Sequence, residues 1–107
     1  MENINTPWGY YIDIIPNEYG YNLKKLVINP NKSLSLQSHN KRSEHWIVVK
    51  GNPKIIIEDR SLELKPDDHF YIPVNRKHKI ENETNEIIEI IELQFGNYLG
   101  DDDIINY

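Results

Sequence analysis

Apolar residues along this chain either alternate with polar ones or come in short runs, and turn residues break them roughly every eight to twelve positions. Spacing suited to an amphipathic helix is almost absent. The pattern predicts strands over 9–15, 21–29, 33–38, 44–50, 54–59, 61–64, 69–72, 78–82 and 86–95. Between them lie the turn signals PNEYG, NPNK, HNKRS, KGNP, EDRS, KPDD, PVNRK and NETNE. Many short strands at that spacing imply an all-β sandwich or barrel. No repeat, low-complexity segment or linker divides the chain, so residues 1–107 are expected to form a single domain. The tail NYLGDDDIINY is expected to make one short turn or helix, with its acidic run a solvated end.

The segment Ser33–His39 is the clearest case of alternation. Leu34 and Leu36 are expected on one side, and Ser35, Gln37 and His39 on the other. A polar face inside a barrel needs partners, because an unsatisfied buried polar group costs about 1–3 kcal/mol. Gln37 and His39 would project together, Glu44 would return on the next strand, and His78 would arrive from a later hairpin. Oxygen and imidazole donors of this kind suit a divalent first-row ion: Zn first, with Mn, Co, Ni or Fe as alternatives.

Composition narrows the chemistry. The formal net charge is -5 and no basic stripe is present, which argues against nucleic acid as a partner. There is no cysteine, so thiolate ligands, thiol nucleophiles and disulfides are excluded. No signal-peptide pattern and no bilayer-length apolar run is present, so no membrane partner and a cytoplasmic location are expected.

The donor residues fall into two blocks, QSHNKRSEHWIVVKG and PVNRKHKIEN. They resemble the two cupin motifs, G-x5-HxH-x3,4-E-x6-G and G-x5-PxG-x2-H-x3-N. Here the first reads Asn31, Gln37, His39, Glu44 and Gly51, and the second reads Asp67, Pro73, Asn75, His78 and Asn82. Together with PWGYY, YNLKKLVINP and ELQFGNYLGDDDI, they are similar to the C-terminal cupin domain of type II mannose-6-phosphate isomerases, often fused to a mannose-1-phosphate guanylyltransferase. The resemblance covers about residues 7–107 and implies a double-stranded β-helix, or jelly-roll, barrel. Asn31, Asp67 and Asn75 replace motif glycines, and Asn and Asp are the next residues most tolerant of positive φ. No Gly-rich nucleotide loop occurs, so guanylyl transfer is not expected of this chain. HNKR stands where the family commonly has HHHR, so Asn40 and Lys41 replace two histidines.

The resemblance implies a metal held by Gln37, His39, Glu44 and His78, and a sugar phosphate as the small-molecule partner. Arg42 and Lys24 are the candidates for the phosphate. Lys41, beside Arg42, is a third cation and a candidate catalytic residue. Glu92 and Gln94 share a face of the last long strand, Glu92 as candidate base and Gln94 as substrate contact. His45 should face away from Glu44, and His69 has no counterpart in the motifs. The implied reaction is isomerisation of mannose 6-phosphate to fructose 6-phosphate through an enediolate stabilised by the metal. Two other readings share the residues: a non-catalytic metal- and sugar-binding module, and an Fe(II) oxygenase using the two-His, one-carboxylate set. Small cupins also pair as homodimers, which the sequence leaves open.

Overall fold

The computed structural model describes residues 1–16, 20–100 and 102–107. Among them every regular element is a strand: β1 (Ile4–Thr6), β2 (Gly9–Ile15), β3 (Tyr21–Ile28), β4 (Gln37–Ser38), β5 (Arg42–Lys50), β6 (Lys54–Ile57), β7 (Arg60–Glu63), β8 (His69–Ile72), β9 (His78–Glu81), β10 (Ile88–Gly96) and β11 (Ile105–Asn106). They form two sheets, β1-β2-β3-β10-β5-β8 and β11-β4-β9-β6-β7. The pairings between these strands are antiparallel, so this is a jelly-roll barrel.

Strand alternation places both core and site. Along β5 the buried residues are Arg42, Glu44, Trp46 and Val48; along β10 they are Ile88, Ile90, Glu92 and Gln94. Register aligns them in rows across β3, β10 and β5. One row is Leu26, Ile90 and Val48; the next is Lys24, Glu92 and Trp46; the last is Asn22, Gln94 and Glu44. One end of the same three strands is therefore apolar and the other polar. Ile55 and Ile80 from the second sheet close the apolar end together with Ile28, Ile88 and Trp46. Each such fully buried side chain contributes about 1.5–3 kcal/mol, so this end holds the fold. The polar end is free to carry chemistry.

The turns follow their residues. Asn31, Asp67 and Asn75 have φ of 58°, 78° and 64°, the left-handed region that the motif glycines would serve. Gly51, at φ 85°, is required, since a Cβ there would lie 2.8 Å from Ile88 Cγ1. Asn82 is 1% exposed and ties the β3 end to the β9–β10 turn. Its Nδ2 donates to the carbonyls of Ile28, Asn29 and Glu86, and its Oδ1 accepts from Thr84 N and Oγ1.

Several expectations need correction. Only Gln37 and Ser38 of the expected 33–38 strand are paired as strand, with Ser33 bridging Glu81 alone. The segment between them is held by single bonds, Leu34 N to Ile80 O and Tyr107 N to Leu36 O. Alternation accordingly fails there: Leu34 packs against the core, and both Leu34 and Ser35 line the central cavity. β6 stops at Ile57 because Glu58 takes φ 51°. The edge strands β1 and β11 carry no alternation long enough to read. The tail makes a turn and then β11 rather than a helix. In the expected PNEYG turn, Asn17, Glu18 and Tyr19 lie outside the described residues, as does Asp101 of the acidic run.

Candidate metal centre

His39 follows β4, Glu44 lies on β5 and His78 opens β9. All three are buried, and one ligand atom from each lies within 4.8 Å of the others. Both imidazoles are oriented by backbone carbonyls: His39 Nδ1 donates to Asp103 O at 2.8 Å, and His78 Nδ1 to Arg76 O at 2.9 Å. A carbonyl only accepts, so each Nδ1 carries the proton and each Nε2 presents a lone pair. His39 Nε2 is 3.2 Å from Glu44 Oε2, and His78 Nε2 is 3.6 Å from Glu44 Oε1. Two imidazole lone pairs around one buried carboxylate form a donor set that fits a divalent transition-metal ion. Gln37 pairs with His78 across β4–β9, and its Nε2 donates to Ser35 Oγ at 3.0 Å, which leaves the amide oxygen as its donor atom for a cation.

Electrostatics favour the deprotonated ligands. Burial alone would raise the Glu44 pKa. The hydrogen bond to His39 and the charges of His78 and Arg42, felt in acid where histidines are cationic, outweigh it and hold the carboxyl at about 2. Burial lowers the His78 pKa more than the Glu44 charge raises it, so the His78–Glu44 contact is not an ion pair at neutral pH. Glu92 behaves oppositely. Burial, then the charge of Glu44, push its pKa up to about 7 against the lowering effects of Gln94, Lys24 and Arg42. Trp46 Nε1 donates to Glu92 Oε2 at 3.0 Å and Gln94 Nε2 to Oε1 at 2.6 Å. Glu92 can thus hold or release a proton near neutrality.

Apart from His39, which is buried behind Glu44 and does not line it, these groups share one cavity of about 270 Å³. Glu44, His78, Gln37, Glu92, Gln94, Lys24 and Arg42 all line it. Lys41 does not: it is exposed, with Nζ 4.9 Å from the Tyr98 ring centroid. Lys24 Nζ lies 4.7 Å above the Tyr11 ring and 4.0 Å from Asp13. His45 and His69 stack with each other on the opposite face of the sheet, at a centroid distance of 5.3 Å. Trp8, Tyr11 and Lys79 also line the cavity, and the sequence pattern does not single them out.

Asp103 is the other residue that the sequence reading misses. It is 7% exposed, not part of a solvated end. Its carboxylate accepts from Asn40 N at 3.0 Å and Lys41 N at 2.9 Å, while its carbonyl orients His39. The partners lie 62 to 64 positions apart, so no local pattern marks them. Asp103→Ala is expected to weaken metal binding about tenfold by loosening His39, as measured by chelator competition. Metal affinity equal to the parent's would show that His39 does not need this strap.

Comparison with known proteins places this geometry in a family. The profile described as mannose-6-phosphate isomerase C-terminal matches residues 1–107. A mannose-1-phosphate guanylyltransferase from Sinorhizobium fredii is 42% identical over 99 residues, covering 92% of this chain and 19% of that protein. The xanthan biosynthesis protein XanB from Xanthomonas campestris is 40% identical over 104 residues, covering 97% of this chain and 22% of its own. A cupin 2 conserved barrel domain protein from Salinispora arenicola superposes with a TM-score of 0.74 at 18% identity, covering 82% of this chain and 76% of that one. The last likeness establishes the cupin fold alone. The first two correct the expected conversion of mannose 6-phosphate to fructose 6-phosphate. Both relatives are named for other roles in mannose-phosphate and polysaccharide metabolism, and this chain spans about a fifth of their length. A donor set and a cavity do not by themselves select the isomerisation.

Proposed function

The chain belongs to the mannose-6-phosphate isomerase C-terminal family, and from that membership we propose that it is a divalent-metal-binding cupin domain that holds a hexose phosphate of the mannose series in its barrel. The observation that carries this reading is convergence. Two of the three buried ligand residues, Glu44 and His78, and three cations, Lys24, Arg42 and Lys79, line one cavity of about 270 Å³, and His39 Nε2 lies 3.2 Å from Glu44 Oε2. His39, Glu44 and His78 would hold the ion, zinc first, with Gln37 as a fourth donor. A bound ion would supply Lewis-acid charge to a sugar oxygen. Arg42 and Lys24 are assigned to the phosphate. Glu92 and Gln94 offer hydrogen bonds to hydroxyls, and Thr6, whose buried Oγ1 has no hydrogen-bond partner, lines the same cavity. Trp8 and Tyr11 supply an apolar wall for the sugar ring. The relatives' names suit work beside a guanylyltransferase.

Elemental analysis after dialysis should find one divalent ion per chain, lost in the double variant His39→Ala/His78→Ala. Calorimetry should show mannose 6-phosphate or mannose 1-phosphate binding about tenfold or more tighter than mannose. Retention of metal by the double variant would overturn the ligand assignment. Equal affinity for mannose and its phosphates would overturn the phosphate assignment.

A further inference from the structure

A phosphate-binding arginine would normally present its fork to the ligand. Arg42 is instead 6% exposed and turned onto the metal-ligating group. Its Nε donates to Glu44 Oε2 at 3.0 Å, and its Nη2 lies 3.0 Å from the same oxygen and 3.2 Å from His39 Nε2. With the His39 proton held on Nδ1 by the Asp103 carbonyl, Nε2 and Glu44 Oε2 are two acceptors only 3.2 Å apart. Two such acceptors repel unless a cation is shared between them. The guanidinium is that cation, and a divalent ion would draw on the same lone pairs. Of the other cations lining the cavity, Lys79 pairs with Glu81 at 3.2 Å, and Lys24 lies over the Tyr11 ring, 4.0 Å from Asp13, with no contact to the metal-ligating group. Among these three, Arg42 shares its partners with the candidate metal.

We propose that Arg42 is a built-in counter-ion that a divalent metal displaces, and that the displaced guanidinium then clamps the phosphate of the ligand. This rests on the reading of the cavity as a metal and sugar-phosphate site. Its consequence is positive coupling. Without metal, phosphate must pull Arg42 from Glu44 and strand a buried carboxylate. With metal on Glu44, Arg42 becomes a buried cation lacking a counter-ion, and phosphate provides one. Linkage makes the effect reciprocal, so sugar phosphate tightens metal by the same factor.

The test uses the full chain, zinc and mannose 6-phosphate. Zinc-loaded parent should bind the sugar phosphate about fivefold or more tighter than chelator-treated parent. Arg42→Ala should lose that coupling and bind zinc about fivefold or more tighter than the parent, because no guanidinium competes. In the 15N spectrum of the parent, zinc without sugar should shift the Arg42 Nε–H resonance. Equal or weaker zinc binding by Arg42→Ala would show that Arg42 positions Glu44 rather than competing for it. Equal sugar-phosphate affinity of the loaded and chelated parent would remove the coupling. Both results leave the metal and sugar-phosphate reading standing. A parent that binds neither zinc nor mannose 6-phosphate removes that reading and the exchange with it. If Arg42→Ala does not fold, the coupling and the Nε–H shift in the parent decide the matter.

Discussion

Glu44→Gln is expected to abolish metal retention and to cost the chelator-treated protein about 3 kcal/mol of stability at neutral pH. The carboxylate is 2% exposed and faces Arg42, itself 6% exposed. Removing the negative charge strands the guanidinium in a poorly solvated site, and that is the expensive half of breaking a buried pair. The same variant deletes the anionic member of the metal-ligating group. The pH dependence has a definite sign. The folded Glu44 pKa, about 2, lies below the ordinary value of 4.5, so its stabilisation is present above 4.5 and lost as pH falls toward 2. Glu44→Gln/Arg42→Met should recover most of the loss, since neither charge is then left alone. Urea denaturation at pH near 7 measures all three proteins. A Glu44→Gln midpoint equal to the parent's would show that the pair carries no net stabilisation.

The fold was legible where turn residues bracket a short apolar run. The strands over 9–15 and 69–72 have the same bounds in sequence and structure. The substitutions Asn31, Asp67 and Asn75 were legible for a chemical reason, since each sits at positive φ where a motif glycine would. What failed was pairing of low local content. β1 and β11 are edge strands of three and two residues, too short to show alternation; β1 folds back on the adjacent β2, while β11 pairs with the distant β4. The 33–38 segment misled because alternating residues need a continuous ladder to keep them on two faces, and here the ladder is broken.

The inward placement of Glu44 was legible from spacing, because strand geometry fixes which side chains share a face: Glu44 and Trp46 turn inward while His45 turns outward to His69. Lys41 was misplaced because adjacency to Arg42 in sequence puts it on the opposite side of the backbone, outside the cavity. Asp103 and the engagement of Arg42 with Glu44 were hidden for other reasons. Asp103 meets partners 62 to 64 positions away, which no spacing encodes. Arg42 and Glu44 share a strand face two residues apart, but which partner the guanidinium takes is decided by satisfaction of polar atoms in three dimensions.

Glu92→Gln is expected to gain stability relative to the parent as pH rises, by up to about 3 kcal/mol between about pH 5 and about pH 8 in chelator. Glu92 is 6% exposed between Trp46 Nε1 and Gln94 Nε2. Burial and the nearby Glu44 charge raise its pKa from 4.5 to about 7. A raised carboxyl contributes stability that is fully present below the unfolded value, 4.5, and lost as pH rises through about 7. Glutamine resembles the protonated carboxyl in size and polarity and does not titrate, so the variant escapes that loss. His78 titrates in an overlapping range with the opposite slope, because burial lowers its pKa and the unfolded chain takes up the proton first. It is present in both proteins and cancels in their difference. Chelator is required because a divalent ion beside Glu44 would stabilise the ionised form of Glu92 and erase the effect. Denaturant midpoints of parent and variant at the two pH values give the answer. A difference that stays constant across that range would mean that Glu92 is ionised throughout, and that burial beside Glu44 does not govern its proton.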